Sequence, residues 1–142
     1  MTAPHRHRFD VLEFDIDPER RHIDHTVIAE CLGAGLDGCP VCGQQALEAL
    51  ITNAAATARL VEIACVAIGE MFGGIPAYLY DDNVGGPASA TFRRLARLGV
   101  DGKIDQMFST VEDMTLDERR QAADTAMDIT IGRLVLAGLG MR

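Results

Sequence analysis

Residues 40–72 read PVCGQQALEALITNAAATARLVEIACVAIGEMF, and this stretch decides the fold. Leu47, Leu50, Ala54, Ala58, Val61, Cys65, Ile68 and Phe72 recur at intervals of 3, 4, 4, 3, 4, 3 and 4 residues. That is the period of one helical face, whereas a strand alternates every second residue. A break is expected within 53–57, because Thr57 is a good cap for a second helix. Beyond Leu60 apolar residues occur nearly all round the helix, which predicts a central element and a core running from Leu47 to Phe72.

The flanks continue the pattern. Residues 24–36 read as a first helix, capped by Asp24 or Thr26, with Val27, Ile28, Cys31 and Leu32 inward and Gly33, Gly35 and Gly38 closing it. Gly73-Gly74-Ile75-Pro76 interrupts the long helical region, and residues 81–87 form a turn. Ser89 caps a helix through Leu98 with Arg93, Arg94 and Arg97 on its far face, and a short helix is expected over 104–108. Thr115 caps the last helix, which carries Asp117 and Glu118 in its first turn and runs to Leu136. Before the helices, residues 1–8 are a basic tail, and Leu12, Phe14 and Ile16 alternate with Glu13 and Asp15. That alternation predicts a short strand or extended arm, paired with a second subunit or laid on the helices. The expected architecture is a mostly α, single-domain helical bundle over 24–142, preceded by residues 1–23 as tail and arm or strand.

Composition agrees with helices. Apolar residues make up 48% of the 142, enough for a core, but aromatics are 5% and Trp is absent. Such a core must be built from Ala, Leu, Ile, Val and Met, and strands draw instead on aromatic and β-branched residues. The net charge of −8 argues against a nucleic-acid or anionic-membrane partner. Glu62 and Glu70 interrupt the longest apolar region, and no apolar stretch backs the N-terminal basic residues, so neither a membrane span nor a secretory signal is expected. A soluble, cytoplasmic protein follows. The middle helix is apolar on too many sides for so short a chain, which predicts a homo-oligomer, with a protein partner as a further expectation.

The chemistry-bearing motif is Gly38-Cys39-Pro40-Val41-Cys42. Pro40 suits the first helical turn, where its missing N–H is not needed. Cys39 then falls at the cap, where unpaired backbone N–H groups and the positive end of the helix dipole favour a thiolate. Cys42, one turn on, can close a disulfide, so Cys39 is the candidate nucleophile and Cys42 the resolving thiol, with no cofactor. The alternative is structural: Cys31, Cys39 and Cys42 with His25 (or His22) would complete a tetrahedral zinc site in a non-enzymatic assembly or binding protein. The eight-residue step from Cys31 to Cys39 is not a standard zinc knuckle. Cys65 lies on the apolar stripe and reads as a small core residue.

The GCPVC segment, the two apolar helices and Met71-Phe72-Gly73-Gly74-Ile75-Pro76-Ala77 resemble the AhpD-like and carboxymuconolactone decarboxylase superfamily over residues 24–85. Members of that superfamily start a helix with GCxxC, cap the next with Thr and end it in a Gly-Gly-x-Pro-Ala turn. The resemblance implies a helical fold with a redox dithiol at Cys39 and Cys42. Two positions depart from it: Ala46 stands where redox-active members carry His, and Val27 where they carry Glu. Without that proton relay, the resemblance implies dithiol–disulfide exchange rather than peroxidase chemistry. Residues 75–86 also resemble the proline turn, strand and Gly-Gly of glutaredoxins, though no hydrophobic strand runs into the CxxC.

Overall fold

A computed structural model of the chain describes residues 25–81 and 88–136. Among these residues the fold is six helices and no strand: α1 (His25–Leu36), α2 (Pro40–Thr52), α3 (Ala54–Phe72), α4 (Ala90–Val100), α5 (Ile104–Asp113) and α6 (Leu116–Leu136). The mostly α bundle is as expected. The N-terminal arm, His22 and residues 82–87 of the turn lie outside the described residues.

The middle of the chain turns sharply, and the cap responsible is not Thr57. Asn53 adopts extended backbone, its Oδ1 accepts from the Ala56 N–H at 2.9 Å, and the helix direction changes by 112° there. Thr57 instead sits one turn inside α3, fully buried, its hydroxyl donating to the carbonyls of Leu50 and Asn53 at 3.0 Å each. A hydroxyl so placed clamps the bend from within. Asn and Thr are both good caps, so spacing does not choose between them.

α3 is the central element. It packs against α4, α5 and most broadly α6, while α1 and α2 pack on each other and on α6. Leu60, Val61, Ile63, Ala64 and Ile68 are buried on α3, against Phe92 and Leu95 of α4, Met107 and Val111 of α5, and Leu50 of α2. α6 contributes Ala122, Ala123 and Ala126, whose small side chains let its backbone lie close to the neighbouring helices. The expectation that α3 is buried all round fails at two points: Val66 is 43% exposed and Phe72, at the end of the helix, 60%. Val66 lies off the packed faces of α3, whereas Phe72 continues the Ile68 face past the point where it is covered. Residues 104–108 extend to Asp113, because Val111 continues the inward face of Met107 and Phe108. Residues Ala77–Leu79, read as a strand in the glutaredoxin-like alternative, form one turn of 3-10 helix.

Capping follows local chemistry. Thr115 Oγ1 accepts from the Glu118 N–H, and the Glu118 carboxylate accepts from the Thr115 N–H in return. Among the described residues no single helix is long and apolar enough to cross a membrane.

Candidate functional site

The CPVC segment lies at the joint between α1 and α2. Gly38 takes a left-handed φ of 66°, its N–H donates to the Gly35 carbonyl, and the Cys39 N–H donates to the Ala34 carbonyl at 3.0 Å. These two bonds are a Schellman closure of α1, which needs a residue tolerant of positive φ at position 38. Cys39 is therefore the last residue tied to α1 and the N-cap of α2 at once. Its backbone is extended (φ −103°, ψ 96°), Pro40 follows at the first helical position, and its side chain makes no capping hydrogen bond to the helix start. Cys39 thus stands at the N-terminus of α2, the end of a helix at which an anion is favoured.

The two cysteines of the motif differ in exposure. Cys39 is half-buried and lines an open groove, whereas Cys42 is 8% exposed. All four cysteines are thiols. Cys31, on the inner face of α1, lines the same groove as Cys39 at 1% exposure, and burial, assisted by the Glu30 charge, pushes its thiol up to about 12. Burial with the Glu62 charge does the same to Cys65, also up to about 12. Neither forms a thiolate readily in the folded chain.

The zinc set fares differently. His25 opens α1, but its side chain lies outside the described part of the structure. Among the described residues no group of three or more His, Cys, Asp or Glu side chains is arranged to hold a metal ion. Cys31, Cys39 and Cys42 are brought to one region without converging on a point.

The groove has a volume of about 380 Å³ and runs between the α1–α2 joint and α6. Ala34, Leu47, Met127 and Ile131 give it an apolar floor, and Asp124 and Asp128 stand on the α6 side. Close approach of the two walls depends on Gly35, where a Cβ would overlap the Ile131 side chain. Burial raises the Asp124 carboxyl above its ordinary range, with Arg120 opposing and Asp128 adding to the shift. Arg120 in turn reaches Glu48 of α2 at 3.9 Å. Sequence reading missed this α6 wall. Asp124 and Asp128 are spaced i, i+4, as are Met127 and Ile131, but that spacing says nothing about which helix they face.

A second cavity, of about 620 Å³, is lined by Tyr80, Asp81, Arg94, Arg97, Leu98, Gln106 and Thr110. Its arginines are half exposed and already engaged, Arg94 with Glu118 at 3.7 Å and Arg97 with Asp101 at 3.4 Å and over the Tyr80 ring. No cysteine is among its lining residues. No family model, curated protein or solved structure matches this chain.

Proposed function

We propose that the chain carries out thiol–disulfide exchange, with Cys39 as the attacking thiolate and Cys42 as the resolving thiol. The observation that carries this reading is the difference between them: Cys39 at the N-cap of α2 on the edge of a groove, Cys42 buried one turn on. A nucleophile must be reachable and ionisable, and the thiol that resolves it must be shielded from a second substrate. The Cys39 thiolate attacks one sulfur of a substrate disulfide, forming a mixed disulfide and releasing one thiolate. The Cys42 sulfur, after losing its proton, attacks the Cys39 sulfur and releases the second. The protein dithiol is oxidised, the substrate disulfide is reduced to two thiols, and the protons end on the products.

The AhpD-like resemblance is part of the proposal: GCPVC opens α2, and the Gly-Gly-Ile-Pro-Ala segment follows α3. Ala46, 8% exposed on α2, stands at the position of the family's relay histidine, so exchange without peroxidase activity is the form we favour. A reducing cytoplasmic location belongs to the same proposal. Two variants test it. Cys42→Ser should trap a stable mixed disulfide at residue 39, detectable as an added mass, and Cys39→Ser should form none. A Cys42→Ser protein that gains no adduct overturns the reading, as does one zinc per chain that is lost on Cys39→Ser.

A second reading, a non-enzymatic helical assembly protein, is favoured by Val66 and Phe72, apolar and exposed near the end of α3. It predicts a homo-oligomer whose mass in light scattering falls on Phe72→Ser. The two readings are compatible.

A further inference from the structure

We infer that the Cys39 groove selects positively charged disulfides over negatively charged ones. The inference rests on the exchange reading above and specifies its substrate class. The two walls of the groove divide the work. The α1–α2 joint presents the Cys39 sulfur, and α6 presents two carboxylates across an apolar floor of Leu47, Met127 and Ile131. Among the described residues, which hold eight Lys and Arg, none lines the groove.

Arg120, one turn from Asp124 on α6, acts on the Asp124 carboxyl and also pairs with Glu48. Among the described residues, the two aspartates and that ion pair sum to two negative charges at the groove. A ligand in the groove therefore lies against both the carboxylates and the sulfur. A disulfide flanked by an ammonium or guanidinium gains attraction on approach and keeps it in the mixed disulfide, while the apolar floor takes its carbon chain. One flanked by carboxylates is repelled at both stages. The natural substrate class is thus a disulfide beside Lys or Arg, in a peptide or a small polyamine-like thiol, and an acidic thiol such as a γ-glutamyl peptide is disfavoured.

The test uses three small disulfides of similar size at pH 8 and low ionic strength: cystamine (cationic), 2-hydroxyethyl disulfide (neutral) and dithiodiglycolate (anionic). Mixed-disulfide formation at Cys39 is followed by mass in the Cys42→Ser chain. Cystamine should react roughly tenfold or more faster than dithiodiglycolate, after division by their rates with a free thiol, and the ratio should shrink in 0.5 M salt, where the screening length is only about 4 Å. The double change Asp124→Asn and Asp128→Asn should bring the ratio close to one. A charge-matched control, Glu112→Gln with Asp113→Asn at the far end of α5, should preserve it. Equal rates for the cationic and anionic disulfides overturn the inference, as does a preference that survives loss of both aspartates. Failure of Cys39 to react even with the neutral disulfide would overturn the exchange reading and this inference together.

Discussion

Replacing Arg119 by methionine removes a guanidinium that ties three helices together. From the first turn of α6, Arg119 donates to the Val111 carbonyl at 3.0 Å, the Glu112 carbonyl at 3.0 Å and the Ile51 carbonyl at 2.9 Å. All three acceptors lie in the last turns of α2 and α5, where the dipole is negative and carbonyls run short of intrahelical partners. Of the three, the Val111 carbonyl also accepts from the Met114 N–H. A hydrogen bond involving a charged group contributes about 1.5–3 kcal/mol when shielded and much less in open water. The Val111 and Ile51 bonds are partly buried and the Glu112 bond is exposed. Two effective bonds, partly offset by water re-entering the gap, give about 2–4 kcal/mol, a large share of a domain stability of ~5–15 kcal/mol. At roughly 3 °C per kcal/mol for a chain of this length, Arg119→Met should lower Tm by about 6–12 °C. Arg119→Lys keeps the charge but reaches one carbonyl, and should recover less than half of the loss. Melting followed by circular dichroism checks both. A Tm for Arg119→Met within about 1 °C of the parent would show that water serves these carbonyls as well as the guanidinium does.

Other perturbations follow from the same contacts. Ile68→Asp buries an unpaired carboxylate at a position now 1% exposed, and should leave the chain unfolded or insoluble at 25 °C; a folded mutant with unchanged melting would remove Ile68 from the core. Thr57→Val keeps the shape at the α2–α3 bend but loses both carbonyl bonds, and should cost about 1 kcal/mol by denaturant titration, since Leu50 and Asn53 carbonyls still accept backbone N–H groups. Cys31 and Cys65 have thiols raised from an ordinary 9.0 to about 12 in the folded chain, so the unfolded chain ionises first as pH rises. Their contribution to stability is full below pH 9 and should fall from there toward about 12, and Cys31→Ala should flatten that decline in urea midpoints taken across the range. At pH 8 iodoacetamide should label Cys39 well before Cys31 or Cys65, read by peptide mass, and equal labelling would contradict their burial.

Local structure was legible in the chain because helices are made of local interactions. The 3-and-4 spacing from Leu47 to Ile68, the Thr115–Glu118 cap and proline after Cys39 each act within about one turn, and each appears where the spacing predicts. The CPVC pair at a helix start was legible for the same reason. What failed were choices between local equals: Asn53 and Thr57 are both competent caps, and only the packing of α2 against α3 makes Thr57 an internal clamp. Phe72 continues a perfect stripe, yet among the described residues no neighbouring helix reaches far enough to cover it. The groove was beyond sequence altogether. Its two walls, Cys39 at the end of α1 and Asp124 and Asp128 on α6, meet because alanines on α6 and Gly35 on α1 let the backbones approach. Such a meeting is decided by how whole faces pack, between residues far apart in the chain, so the sequence by itself determined where a reactive sulfur could sit, and the tertiary structure decided what surrounds it.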